Sequence, residues 1–511
     1  MTVVLRPDHP LTEDEVVAVA RDGAHVSLSE EALDALTRAR KHVDDLASGS
    51  TPSYGISTGF GALATKHIPA ERRTQLQRSL VRSHAASSGA EVEAEVVRGM
   101  ALLRLQTMAT GHTGVRPHTA RAYASLLNAG ITPVVREHGS LGCSGDLAPL
   151  AHVALAVMGE GEVRYEGRLV PAAEALAEAH LEPVELAEKE GLALINGTDG
   201  MLAMLLLAAH DVDRLLRVAD VAAAMSLEAL LGTDRTLAGD LMALRPHPGQ
   251  AAAAANMRRV LAGSPVVASH AGPEDTRVQD AYSLRCAPQV AGAARDTLDH
   301  VRRVAAREGA AAIDNPVLLD DGRIESNGNF HGAPVAYALD FLAIPLADLA
   351  SMSERRTDRM LDQHRNHGLP PFLADDPGVD SGLMIAQYTQ AGIVSELKRL
   401  AAPASVDSIP SSAMQEDHVS MGWSAGRKLR RSVDGLARVL AVEVLTAARA
   451  LDLRAPLEPA AGTGAAVAAV RAVVPGPGAD RYLSPEIEAV VQLVQDGSLL
   501  AAVEDVVGGL D

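Results

Sequence analysis

Apolar positions recur along most of this chain at three- and four-residue spacing, which predicts amphipathic helices rather than strands. Thr12 with Glu15, and Ser27 with Glu30, have capping-box spacing, and each pair precedes an apolar-periodic run closed by a glycine, Gly23 and Gly49. The second run places Leu33, Leu36, Ala39, Val43 and Leu46 on one face. Longer helical patterns cover 199–231, 278–310, 332–363, 380–401 and 417–452. Strand signals are sparse: "TVVLR" near the start reads as a short strand, and "EVRYEGRLV", 162–170, as a hairpin turning at Glu166 and Gly167. Ser484 and Pro485 read as the N-cap and first residue of one last helix.

These patterns predict a mainly α protein built on a bundle of long helices. A region over 1–200, a central helical body over 201–472 and a C-terminal linker and helix over 473–511 form one continuous body, because only "VVPGPGAD" at 473–480 resembles a linker.

With 511 residues, 47% hydrophobic and 22% charged, the composition is that of an ordinary globular protein. A net charge of −19 disfavours nucleic acid or an anionic membrane surface as partner. "MLAMLLLAA" at 201–209, the most apolar segment, is too short to cross a bilayer. Two cysteines, Cys143 and Cys286, make neither a disulfide framework nor a zinc spacing, and the first residues lack a secretory pattern, so a cytoplasmic location is expected. Asp362, His364 and His367 in "DQHRNHG" lack further ligands and read as a helix terminus, so no metal is expected. "RKLRR" at 427–431 reads as a solvated or interface helix face.

Chemistry is sought in the glycine-rich, polar islands between the helices. There are six: "YGISTGFG" (54–61), "GSLGCSGDLAPL" (139–150), "LINGTDG" (194–200), "VQDAYSLRCAPQ" (278–289), "ESNGNFHG" (325–332) and "SSAMQEDHVSMG" (411–422). A hydrolase-nucleophile role for Ser144 is disfavoured, since Gly142-Cys143-Ser144-Gly145-Asp146 breaks the G-x-S-x-G elbow at its last position and the surroundings are helical. No lysine follows to make a phosphate loop. Nothing in the sequence supports Cys143 as a catalytic thiolate, and it reads as a small semi-buried side chain. Covalent self-modification remains: the Gly145 nitrogen attacks the Cys143 carbonyl, a five-membered ring closes, and dehydration of Ser144 leaves an exocyclic methylene. Such a ring needs glycine at the attacking position, where the backbone is compressed. It needs a β-hydroxyl at the centre, and only a backbone carbonyl at the first position.

Through all six islands, in order, the chain resembles the histidine ammonia-lyase family, within the aromatic amino acid lyases and mutases that carry a methylidene-imidazolone group (MIO). The family most often has alanine where this chain has Cys143. The resemblance implies a long-helix bundle of the aromatic ammonia-lyase and fumarase-like type, with a smaller loop-rich N-terminal region carrying the MIO. That group would form autocatalytically from Cys143, Ser144 and Gly145 with no external cofactor. The activity implied is non-oxidative deamination of L-histidine to trans-urocanate and ammonia, the first step of histidine degradation. The resemblance makes Tyr54 the catalytic base, a role that needs its phenol pKa lowered, and counts Tyr282 and Glu416 among the catalytic groups.

Arg285 is matched to the substrate carboxylate, and Asn196, Gln279 and Tyr282 to polar contacts with the substrate and the prosthetic group. Phe330 is matched to a ring packed near that group. Asp146 is expected to orient the loop during cyclisation, or simply to cap the helix starting near Leu147. His84 and Glu416 together match the members that act on histidine, whose imidazole needs polar partners. A homotetramer with active sites shared between chains is implied as well. Two other readings stand beside this one: an MIO lyase or 2,3-aminomutase acting on tyrosine or phenylalanine, and a non-catalytic helical scaffold.

Overall fold

Thr12 accepts a hydrogen bond from the backbone N–H of Glu15 at 3.2 Å while the Glu15 carboxylate accepts one from the backbone N–H of Thr12 at 2.9 Å, and this reciprocal cap opens the helix Glu13–Ala20. It is the first helix in a computed structural model that describes residues 1–49, 55–59, 66–272 and 278–511. "TVVLR" forms the strand Thr2–Leu5, which pairs in parallel with His25–Leu28. That pairing corrects one expectation. Ser27 is a strand residue opposite Val4, so Ser29 is the residue whose hydroxyl caps the next helix, Glu30–Ser48. The buried face of that helix includes Leu36, Ala39 and Val43, as its periodicity predicts.

The described chain is mainly helical, with only short strands. It divides into two compact units, each assembled from separate stretches. The first comprises Met1–His210, Arg302–Asp340 and Pro403–Arg427. Its helix Ala94–Ala109 is buried over nearly its whole length, and Gly99 lets it lie against Ala203, since a Cβ there would stand 3.3 Å from the Ala203 methyl. The predicted hairpin is present as Glu162–Tyr165 and Arg168–Pro171, turning through Glu166 and Gly167 at φ 48° and 76°.

The second unit comprises Asp211–Val301, Phe341–Ala402 and Lys428–Asp511. Its buried polar clusters include two centred on glutamates. Glu443 accepts two hydrogen bonds from the Arg356 guanidinium and one from Ser226 Oγ at 2.6 Å, with both charged side chains almost fully buried. Glu228, also fully buried, accepts from Ser264, Thr463 and the backbone N–H of Ala460. Each carboxylate is satisfied by several donors, as burial requires. At the C-terminal end the expected single helix is two, Ser484–Gln495 and Ser498–Val507, broken at Gly497 with φ 84°. Ser484 is the first helical residue rather than the cap.

The other long predicted helices appear as Asp199–Ala229, Ala287–Gly309, Ala333–Leu361, Met384–Leu400 and Gly422–Asp452. Ala333–Leu361 is long and apolar enough to cross a membrane, but most of its apolar stretch is buried inside the protein. Arg427 and Arg430, expected on a solvated or interface face, are partly buried and pair with Glu93 and Asp211 respectively.

Removing one partner of the Arg356–Glu443 pair leaves the other charge buried and unpaired. Arg356→Met is therefore expected to cost about 3–5 kcal/mol, read as a lower denaturant midpoint, and adding Glu443→Gln to recover part of it.

Candidate active site

The loop 139–146 is clasped by two other islands. Gly142, at φ 64°, passes so close to Ser420 that a Cβ would stand 2.3 Å from its Oγ. The same hydroxyl donates to the Gly142 carbonyl at 2.7 Å. Gly145, at φ 73°, lies against the 194–200 island, where a Cβ would stand 2.2 Å from the Gly197 carbonyl oxygen. Neither position accepts a side chain. The next residue closes the joint, with the Asp146 N–H donating to the Gly197 carbonyl at 2.7 Å.

Asp146 does precede the helix Leu147–Val157, but its side chain makes no cap bond there. Its carboxylate accepts instead from Ser140 Oγ at 2.8 Å and from the Met201 N–H at 2.9 Å, so it caps the first turn of Asp199–Ala229 from across the unit. Complete burial pushes its pKa up to about 7 against these donors.

Beside the loop is a cavity of about 640 Å³ lined by Ser144, Asn196, His84 and Glu416 among polar groups, with Leu80 and Leu192 as apolar walls. Asn196 is buried, and its Nδ2 donates to Ser144 Oγ at 2.8 Å and to the Ser144 carbonyl at 3.1 Å. The Asn196 backbone is itself fixed: Arg104, wholly buried, donates to its carbonyl and to that of Ile313, both at 2.7 Å, with the Asp199 carboxylate 3.4 Å away. His84 Nδ1 bonds the Leu80 carbonyl at 2.9 Å, so the neutral ring carries its proton there. Burial lowers the His84 pKa, with the Glu416 charge opposing. Glu416 accepts from Ser411 Oγ at 2.9 Å and from the Cys143 thiol at 3.3 Å. Burial, and then that carboxylate, push the Cys143 pKa up to about 12.

Four residues singled out in the sequence therefore share one cavity, and Cys143 touches one of them. Gln279, Tyr282 and Arg285 belong to the second unit and are not among the lining residues. Tyr282 is 70% exposed, and the Arg285 guanidinium lies 4.5 Å from its ring centre. The helical run expected over 278–310 is a short turn, Tyr282–Arg285, followed by the helix Ala287–Gly309. Phe330 is half-buried in a segment tied to the glycine-rich loop by the Gly332 N–H donating to the Gly142 carbonyl at 3.2 Å. Tyr54 lies outside the described residues. Among the described residues no cluster of three or more His, Cys, Asp or Glu side chains suits a metal ion, Asp362, His364 and His367 included. Arg104 and Ser411 are site-supporting residues that sequence reasoning missed. A lone arginine inside "MALLRLQTMA" is a signal of a paired buried charge, whereas Ser411 opens the last of the six islands with nothing to set it apart from its neighbours there.

Gly145→Ala is expected to prise the loop from Gly197 at a cost of about 1–3 kcal/mol. Hydrogen exchange at the Asp146 amide, which bonds the Gly197 carbonyl, should then accelerate by about tenfold or more.

Residues 11–472 match the family model described as aromatic amino acid lyase. The chain is 64% identical to a histidine ammonia-lyase of Streptomyces avermitilis, over 98% of this chain and 98% of that protein. Among solved structures it resembles tyrosine aminomutase from Streptomyces globisporus, at a TM-score of 0.93 and 38% identity over 99% of both chains. It also resembles histidine ammonia-lyase from Trypanosoma cruzi, at 0.91 and 38%, over 99% of this chain and 95% of that one. With the family model spanning most of its length and relatives matching it nearly end to end, the chain belongs to the aromatic amino acid lyase family.

Proposed function

We propose that the protein deaminates L-histidine to trans-urocanate and ammonia, using an MIO made from Cys143, Ser144 and Gly145. The observation that carries this reading is the single cavity shared by Ser144, Asn196, His84 and Glu416, in a chain with histidine ammonia-lyases among its relatives. The tripeptide suits ring closure on its own geometry: Gly145 sits where a Cβ has no room, and Asn196 grips both oxygens of Ser144. Closure expels one water as the Gly145 nitrogen bonds to the Cys143 carbonyl carbon, and loss of the Ser144 hydroxyl expels a second. When present, the group supplies an electrophilic carbon, which no unmodified side chain offers.

The chain's own residues bind the substrate and move its protons. Glu416 receives one imidazole N–H, and His84, with its Nδ1 proton on the Leu80 carbonyl, offers its Nε2 lone pair to the second N–H of a protonated imidazole. A phenylalanine side chain entering the same cavity would leave both groups unpaired, which is the basis of discrimination. Tyr54 is assigned as the base that removes the β-proton, whereupon the C–N bond breaks and the amine departs as ammonia. Arg285 is assigned to the substrate carboxylate, with Gln279 and Tyr282 beside it. Phe330 is assigned to packing near the prosthetic group, and Asp146 to holding the loop during cyclisation.

The working assembly is a homotetramer whose active sites draw residues from neighbouring chains, located in the cytoplasm. Its support is the apolar surface that one chain leaves uncovered: besides Tyr282, Ile385 is 57% and Tyr388 62% exposed on the helix Met384–Leu400. The two free thiols suit a reducing compartment.

Incubation with L-histidine should release urocanate, and Glu416→Gln should lower kcat/KM by about a hundredfold. Coumarate or β-tyrosine from tyrosine, with histidine untouched, would instead assign the site to the tyrosine-directed branch. Activity should fall as the protein is diluted through its dissociation range, and a fully active monomer would contradict the shared site.

A further inference from the structure

The Glu416 carboxylate is not anchored symmetrically. Cys143 Sγ donates to Oε2 at 3.3 Å and Ser411 Oγ donates to the same oxygen at 2.9 Å. Among the described residues, no hydrogen bond or ion pair engages Oε1. One oxygen is thus held by the protein while the other is left to a ligand. A second group on the cavity wall is in the same condition: Asn196 is 1% exposed, and its Oδ1 is buried with no partner. Such atoms mark the places where a bound polar molecule completes the hydrogen bonding.

We propose that Cys143 is a positioning residue for the substrate-binding carboxylate: its thiol holds Glu416 through Oε2, so the first residue of the self-modifying tripeptide also sets the orientation in which that carboxylate meets the substrate. The inference rests on the functional reading above. Ring closure uses only the backbone carbonyl of Cys143, so its side chain remains free for this second task. Burial and the neighbouring carboxylate keep the thiol protonated well above neutrality, and it therefore stays a donor throughout the working range.

The titratable groups that meet Glu416 from other elements are the Cys143 thiol and the His84 imidazole at the end of the helix Arg73–His84. Lys66 lines the same cavity, and Asp417 and His418 follow Glu416 in the chain.

The test compares wild type, Cys143→Ala and Cys143→Ser by KM and kcat for histidine, after peptide mass has shown the ring formed in all three. Cys143→Ala should raise KM about threefold or more while kcat changes less, and Cys143→Ser, which keeps a donor, should bring KM back toward wild type. The same KM in wild type and Cys143→Ala would overturn the proposal. So would equal shifts in the alanine and serine variants, which would assign the effect to lost volume. Failure of the wild type to release urocanate from histidine would instead overturn the functional reading beneath it.

Discussion

The contact between the backbone at Gly145 and the carbonyl of Gly197 is the constraint around which the site is built. Two glycine-containing turns approach until no Cβ fits between them, and the Asp146 N–H bonds across the gap. A close approach of this kind leaves two backbones with little freedom to relax. Its geometry must be supported by surroundings that already specify it. Everything else in the first unit that bears on the site can be read as that support.

The support is polar and deeply buried. Arg104 fixes the carbonyl of Asn196 from behind, so the Asn196 amide meets Ser144 in one orientation. Asp146 binds the first turn of Asp199–Ala229 and Ser140 together. Lys189 and Asp314, fully buried, form an ion pair in the same unit. Buried ion pairs of this kind add little net stability over apolar packing, but breaking one is costly. They suit a loop whose shape matters more than its stability. A fixed loop would also bring the Gly145 nitrogen to the Cys143 carbonyl without help from an outside reagent, since orientation alone can supply much of the advantage of an intramolecular reaction.

How much of this was legible in the sequence depended on the distance over which each interaction acts. The Thr12 cap and the turn at Glu166 and Gly167 are local, and the structure contains both. Ser27 has the same capping spacing, but pairing with the strand Thr2–Leu5 takes it away from the helix, a tertiary preference overriding a local one. Of the two roles open to Asp146, capping its own helix fails, and its carboxylate caps one that begins more than fifty residues later in the chain. The bond between Cys143 and Glu416 joins residues 273 positions apart. No periodicity or spacing could reveal it. The motif residues stand out in the sequence because their chemistry is unusual, whereas the contacts around them are ordinary hydrogen bonds between distant segments.

The central claim is that Ser144 is consumed by its own backbone, and the mass of the peptide spanning residues 139–152 tests it most directly. In the purified protein that peptide should be lighter than its sequence by two waters, and Ser144→Ala should abolish both the deficit and urocanate formation. A peptide of full mass in protein that deaminates histidine would contradict the account.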